Sequence, residues 1–194
     1  MAITSIKTGS SFTNLIKYDN FLGPNPAYNP SSYESIATVT VGAGGSSTVS
    51  FTSIPSTYTH LQIRTSMQSS LSSYGLMRFN SDSGSNYTSH FLYGDGSTAT
   101  ATALTSQSSI YALRGSPSTN YYAGTVIDIL DYRNTNKYKT TRSLAGNDEN
   151  GSGYVFFLSG LWLNTNAITD ITIITQSGTF AQYSSFALYG IKGS

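Results

Sequence analysis

The chain has 194 residues, a net charge of +1, 10% charged residues and no cysteine. That length holds one domain with a substantial core, or two small ones. The charge balance argues against a basic nucleic-acid-binding surface, and the missing cysteines exclude disulfides and thiolate chemistry. Charge is well under the usual ~25%, while Ser and Thr together make up roughly 30% of the chain. Such a composition can mark disorder. Here 15 Tyr and 9 Phe, with many Ile and Val, instead suit pleated, half-buried surfaces. The expectation is an all-β domain with neutral, hydroxyl-rich faces.

Residues 1–34 read differently from the rest. Pro24, Pro26 and Pro30 fall close together, and each fixes φ and restricts the residue before it. The segment should therefore be extended. It also carries Phe12, Tyr18, Phe21, Leu22, Tyr28 and Tyr33, which a solvated linker would not need. An extended arm with spaced aromatics implies docking on its own domain or on a neighbour. Tyr18, Phe21, Leu22, Tyr28 and Tyr33 are the expected anchors. No signal-peptide pattern opens the chain, and no apolar run has membrane-spanning length. The expected setting is synthesis in a cytoplasm, with neither membrane nor nucleic acid as a partner.

From residue 35 to 194 the chain reads as one domain. Strand-like segments fall at 35–41, 48–51, 60–68, 75–80, 87–93, 110–114, 123–132, 138–145, 153–163, 167–175 and 184–191. Turn signals rich in Gly, Asn, Asp and Ser separate them. Leu61, Ile63 and Thr65 alternate with His60, Gln62 and Arg64. Ile127 and Ile129 oppose Val126 and Asp128, and Phe186 and Leu188 oppose Ala187 and Tyr189. This is the two-residue period of a half-buried strand. Residues 154–163 are apolar on both faces and include the only Trp, so this strand should run through mid-sheet or meet another subunit. Residues 97–122 read as a low-complexity excursion or surface loop. Many short strands and no helical period predict an antiparallel, jelly-roll-like β-sandwich with an extended N-terminal arm.

Catalytic signals are weak. His60 and His90 lie in predicted strands without a metal-ligand spacing, and no P-loop, nucleophile elbow or dinucleotide fingerprint occurs. Asp128 and Asp131, three apart on a strand, point to opposite faces. Asn80-Ser81-Asp82-Ser83-Gly84 resembles an Asp-box hairpin or a partial Ca²⁺ loop, but lacks the further acidic ligands of the latter. A plain β-turn is the favoured reading, as is a hairpin tip for Asn147–Gly151. Lys137–Arg142 reads as a solvated strand with positive ends. No catalytic residue, metal site or cofactor is expected. Tyr121, Tyr122, Tyr132 and Tyr138, near loops and strand ends, are the candidates for surface recognition of sugars or protein.

Several phrases carry a resemblance. They are Ser5–Leu15 with Lys17–Leu22, Tyr33–Thr38, Ile54–Arg64, Phe91–Gly96 and Phe186–Gly193. Together they resemble virion structural proteins of tailed phages of aquatic bacteria. The resemblance implies a capsid decoration (cement) protein, homotrimeric, docked through its arm on other virion proteins such as the major capsid protein. It also implies an alternative: a tail-fibre or baseplate module that recognises host-surface glycan. Both place the protein in the virion and neither implies an enzyme.

Overall fold

The computed structural model describes residues 32–193. Among them are twelve strands and no helix. They are β1 (Tyr33–Thr40), β2 (Thr48–Phe51), β3 (His60–Met67), β4 (Ser73–Phe79), β5 (Tyr87–Gly94) and β6 (Ala99–Gln107), then β7 (Ile110–Gly115), β8 (Ala123–Leu130), β9 (Lys139–Asp148), β10 (Gly153–Trp162), β11 (Ile171–Thr175) and β12 (Ser185–Ile191). Tyr33 and Glu34, placed in the arm by sequence, are the first residues of β1. The expected arm anchors Tyr18, Phe21, Leu22 and Tyr28 lie outside the described residues.

The strands form two antiparallel sheets, ordered β1-β12-β3-β8-β9-β10-β5-β6 and β2-β11-β4-β7. Setting aside the hairpins β5-β6 and β9-β10 leaves two sets of four, β1-β12-β3-β8 and β2-β11-β4-β7. Through those eight strands the chain crosses between sheets at each step but one, β4 to β7, which are paired neighbours in the smaller sheet. The result is an antiparallel β-sandwich, in which the hairpins β5-β6 and β9-β10 widen one sheet beyond a four-plus-four arrangement. The 97–122 excursion is mostly regular, since it contains β6 and β7. Residue 167 onward pairs later than expected, with β11 confined to Ile171–Thr175.

The core follows the predicted alternation. Leu61, Ile63, Ile127, Ile129, Trp162, Phe186 and Leu188 of the larger sheet pack with Val49, Phe51, Met77, Phe79, Ile171 and Ile173 of the smaller. A satellite cluster of Phe91, Ala145, Phe156 and Leu158 is covered by Tyr74 and Tyr111. Arg114 lies 5.0 Å from the Tyr74 ring centre and 5.3 Å from that of Phe156, a half-buried cation on aromatic faces.

One strand departs from the expectation. The inward residues of β9 are Lys139, Thr141, Ser143, Ala145 and Asn147, all buried, while Leu144 faces outward. Lys139 is therefore not part of a solvated basic stripe. Its ammonium donates to the carbonyls of Lys137 (3.0 Å) and Thr165 (2.8 Å). Burial, with Lys137 nearby, depresses its pKa. Small inward residues let the sheets approach closely here: a Cβ built on Gly160 would lie 2.4 Å from Ile110 Cγ2 and 2.5 Å from Thr141 Oγ1.

Candidate binding and assembly surfaces

The polar groups that might have formed a reaction centre are dispersed, and protein partners engage most of them. Asp128 accepts from Gln62 Nε2 at 2.8 Å and Arg142 Nη2 at 3.2 Å. Asp131 pairs with Lys137, and its amide donates to His60 Nδ1 at 2.9 Å. His90 is exposed on the outer face of β5. Among the described residues, no cluster of three or more His, Cys, Asp or Glu could hold a metal ion.

Asp82 is a structural knot. Its carboxylate accepts from Trp162 Nε1 (2.8 Å), the Gly84 amide (2.8 Å) and Asn86 Nδ2 (3.0 and 3.2 Å). Both oxygens are thus occupied by protein donors, which supports the turn reading over a Ca²⁺ loop. Two residues back, Asn80 accepts the amides of Thr169 (2.8 Å) and Asp170 (3.2 Å) and donates to the Ala167 carbonyl (2.8 Å).

Hydrogen bonds from Trp162, then Gly84 and Asn86, hold the Asp82 carboxyl below the usual carboxylate range. A carboxyl with a depressed folded pKa stabilises the fold above its unfolded value, and this contribution is lost as pH falls through the folded value. The urea midpoint should therefore be insensitive to Asp82 between pH 7 and about 5 and should drop below about pH 4. The drop should shrink in Asp82→Asn. An equal acid response in both proteins would remove Asp82 as a cause.

The predicted recognition tyrosines do not converge. Tyr121 and Tyr122 precede β8 and Tyr132 and Tyr138 follow it, so the pairs sit at opposite strand ends. Tyr132 is a correction: it is 1% exposed, and its hydroxyl donates to the Pro55 carbonyl, so it is a core residue. Its apolar ring fills the sandwich end beside Ile168, whose amide donates to the Tyr132 carbonyl. Tyr138 is exposed and isolated from the others. Tyr33 is engaged within its own sandwich. Its ring centre is 5.2 Å from that of Tyr189, Arg64 lies over it, and its hydroxyl bonds Gln62.

Two surfaces remain. The first is the outer face of the larger sheet, which the sequence pattern did not reveal. Cross-strand register sets Ala101 of β6 opposite Leu92 of β5, Leu92 opposite Phe157 of β10, Phe157 opposite Leu144 of β9, and Leu144 opposite Val126 of β8. The large members are 38–58% exposed. Val155, 58% exposed, sits beside Phe157 in β10. An apolar row crosses five strands in the open. The neighbouring row, His90, Ser159, Arg142 and Asp128, is polar.

The second surface is a cleft of about 850 Å³ at one end of the same sheet. It lies between the β5–β6 turn, the β7–β8 connection and the β9–β10 turn. Tyr121 and Tyr122 line it together with Asp95, Asn120 and Asp148. Its framework is braced from behind. Glu149 accepts from Ser118 Oγ (2.6 Å) and from Asn147, and bonds to Ser116 and Ser118 hold its carboxyl low. Tyr154 donates to the Arg114 carbonyl at 2.9 Å, and burial pushes its phenol up. No protein-family model, curated protein or solved structure matches this chain.

Proposed function

We propose that this protein is a structural subunit of a phage virion, a capsid decoration protein that assembles as a homo-oligomer, with a trimer as its expected order. The observation that carries this reading is the register-aligned apolar row Ala101, Leu92, Phe157, Leu144 and Val126. It lies mainly on the hairpins β5-β6 and β9-β10 that widen the larger sheet. Exposed apolar patches of about 300–600 Å² are the largest on typical monomers and often mark interaction sites. The dispersal of the titratable side chains favours assembly over chemistry.

The expected result in analytical ultracentrifugation is an oligomer at micromolar concentration whose dissociation constant changes little with salt, because the central row is uncharged. Phe157→Glu should give a folded monomer, since the side chain is half exposed and its replacement disturbs no core contact. The same variant should lose occupancy on particles. A monomeric parent protein, together with a variant that decorates particles normally, would refute the assembly role of this face.

A second reading has one observation in its favour. The end cleft places two tyrosines beside free polar groups, as a tail-borne module recognising host-surface glycan would require. Counting copies per virion separates the readings: hundreds on the head for decoration, few on the tail for recognition.

A further inference from the structure

We propose that the end cleft is a cation-independent binding site for a neutral oligosaccharide, with Tyr121 as the stacking platform and Asp95 and Asp148 as acceptors for sugar hydroxyls. The inference deepens the glycan-recognition reading and rests on it for biological meaning. The binding itself is a property of the cleft.

Its volume is in the upper part of the ~300–1,000 Å³ span of small-ligand sites. Tyr121 is 36% exposed, and its side chain has no hydrogen-bonding or ring partner among the described residues. A free phenol offers a flat apolar face for the C–H side of a pyranose and a polar tip for a hydroxyl. Tyr122 is fixed beside it by donating to the Gln182 carbonyl at 2.9 Å.

The two carboxylates are held in place and only partly used. Asp95 Oδ1 accepts the amides of Ser97 (2.9 Å) and Thr98 (2.8 Å). Asp148 Oδ1 accepts the Asn150 amide at 2.9 Å. In each the second oxygen is left to accept from a ligand. The Asn120 side-chain amide adds a donor and an acceptor. Gly96 and Gly151 open the wall further, because a Cβ at either would meet nothing within 4 Å. Their backbone groups can be approached closely.

The charge of the wall sets the class of sugar. Two carboxylates line it, and no Lys, Arg or His does. A uronate, sialate or sulfated sugar would bring a like charge against them, which costs affinity. Among the described residues no group of three or more His, Cys, Asp or Glu could hold a metal ion, so the sugar is taken to bind these side chains directly.

The test titrates the full chain with a panel of neutral hexose and N-acetylhexosamine trisaccharides, and with trigalacturonate as the acidic counterpart, in calcium and in EDTA. At least one neutral trisaccharide should bind equally in both buffers and trigalacturonate should not. Tyr121→Ala should weaken that binding about tenfold. Asp148→Asn should weaken it as well, and Tyr138→Ala, at the other strand end, should leave it unchanged. Absence of neutral binding, tighter binding of trigalacturonate, loss in EDTA, or an unaffected Tyr121→Ala would each overturn the site. Adsorption assays keep the two levels apart. If the purified protein blocks virion adsorption to host cells yet binds no neutral sugar, the recognition role stands and this cleft does not. If the sugar binds the cleft but leaves adsorption untouched, the site stands and the role falls.

Discussion

Replacing Trp162 by Ala is expected to lower the free energy of unfolding by about 3–5 kcal/mol, the usual cost of removing a large buried aromatic. Trp162 is 1% exposed. Its ring centre lies 5.5 Å from that of Phe79 and 6.3 Å from the stacked ring of Tyr87. Tyr87, whose phenol burial raises to about 12, in turn accepts the Phe79 amide at 3.1 Å. The indole N–H also satisfies Asp82, so the Ala variant loses packing and leaves a carboxylate short of a donor. Trp162→Phe separates these effects: it keeps most of the ring and should cost about 1.5–3 kcal/mol through the lost charge-assisted bond. In an Asp82→Ala background that cost should largely vanish. Urea titration of the four proteins measures it. A Trp162→Ala cost below about 1 kcal/mol would show that this cluster is not a principal part of the core.

The second large effect is expected at Gly190. A Cβ built there would lie 2.3–2.5 Å from Cγ, Cδ1 and Cδ2 of Tyr58. Tyr58 is 8% exposed and cannot swing aside freely. Its hydroxyl donates to Glu34 Oε2 at 2.9 Å, and Lys192, bonded to Glu34 Oε1 at 2.8 Å, lies over its ring. Gly190→Ala should cost about 1–3 kcal/mol as overpacking, toward the upper value because the ring is pinned. Tyr58→Ala should be less damaging in the Gly190→Ala background than in the parent. Equal effects in both backgrounds would show that the ring and the glycine are not in conflict. The same contact explains two phrases of the sequence. Ile54–Arg64 and Phe186–Gly193 meet here, with the Thr59 amide donating to the Ile191 carbonyl at 2.8 Å and the Gly193 amide to Thr59 Oγ1 at 3.0 Å.

Strand placement was legible where branched apolar residues alternate with polar ones. Leu61, Ile63, Ile127, Ile129, Phe186 and Leu188 all turn inward as the period requires. The strand β6 was not legible, because Ala-Thr-Ala-Thr-Ala alternates without a hydrophobic face and Ala is a weak strand former. The inversion of β9 was equally hidden. Its inward set, Lys139, Thr141, Ser143, Ala145 and Asn147, is mostly polar and its outward set includes Leu144, so the period is visible but its sense is not. The apolar row on the outer sheet depends on register across five strands, which no single segment encodes. For the cleft, the tyrosine pair 121–122 was legible as a candidate. Its partners Asp95 and Asp148 come from turns distant in sequence and are joined only by the order of the sheet. Tyr132 was misread because it follows a strand end, where exposure is the rule, yet its ring closes the core.

The sheet order also decides when folding can finish. The first strand, β1, pairs only with β12, and β2 pairs only with β11. Val39 waits for Phe186, and Phe51 waits for Ile171. On the ribosome, both early strands emerge with no permanent partner until nearly the whole domain has been made. Closure must then bring together segments far apart along the chain, which places this domain among the slow, high-contact-order folders of the millisecond-to-second range. During that wait an exposed strand risks pairing with a neighbouring nascent chain. Strand β1, Tyr-Glu-Ser-Ile-Ala-Thr-Val-Thr, meets the risk with a charge, hydroxyls and a register shift between Ser35 and Ala37, features that discourage edge-to-edge association.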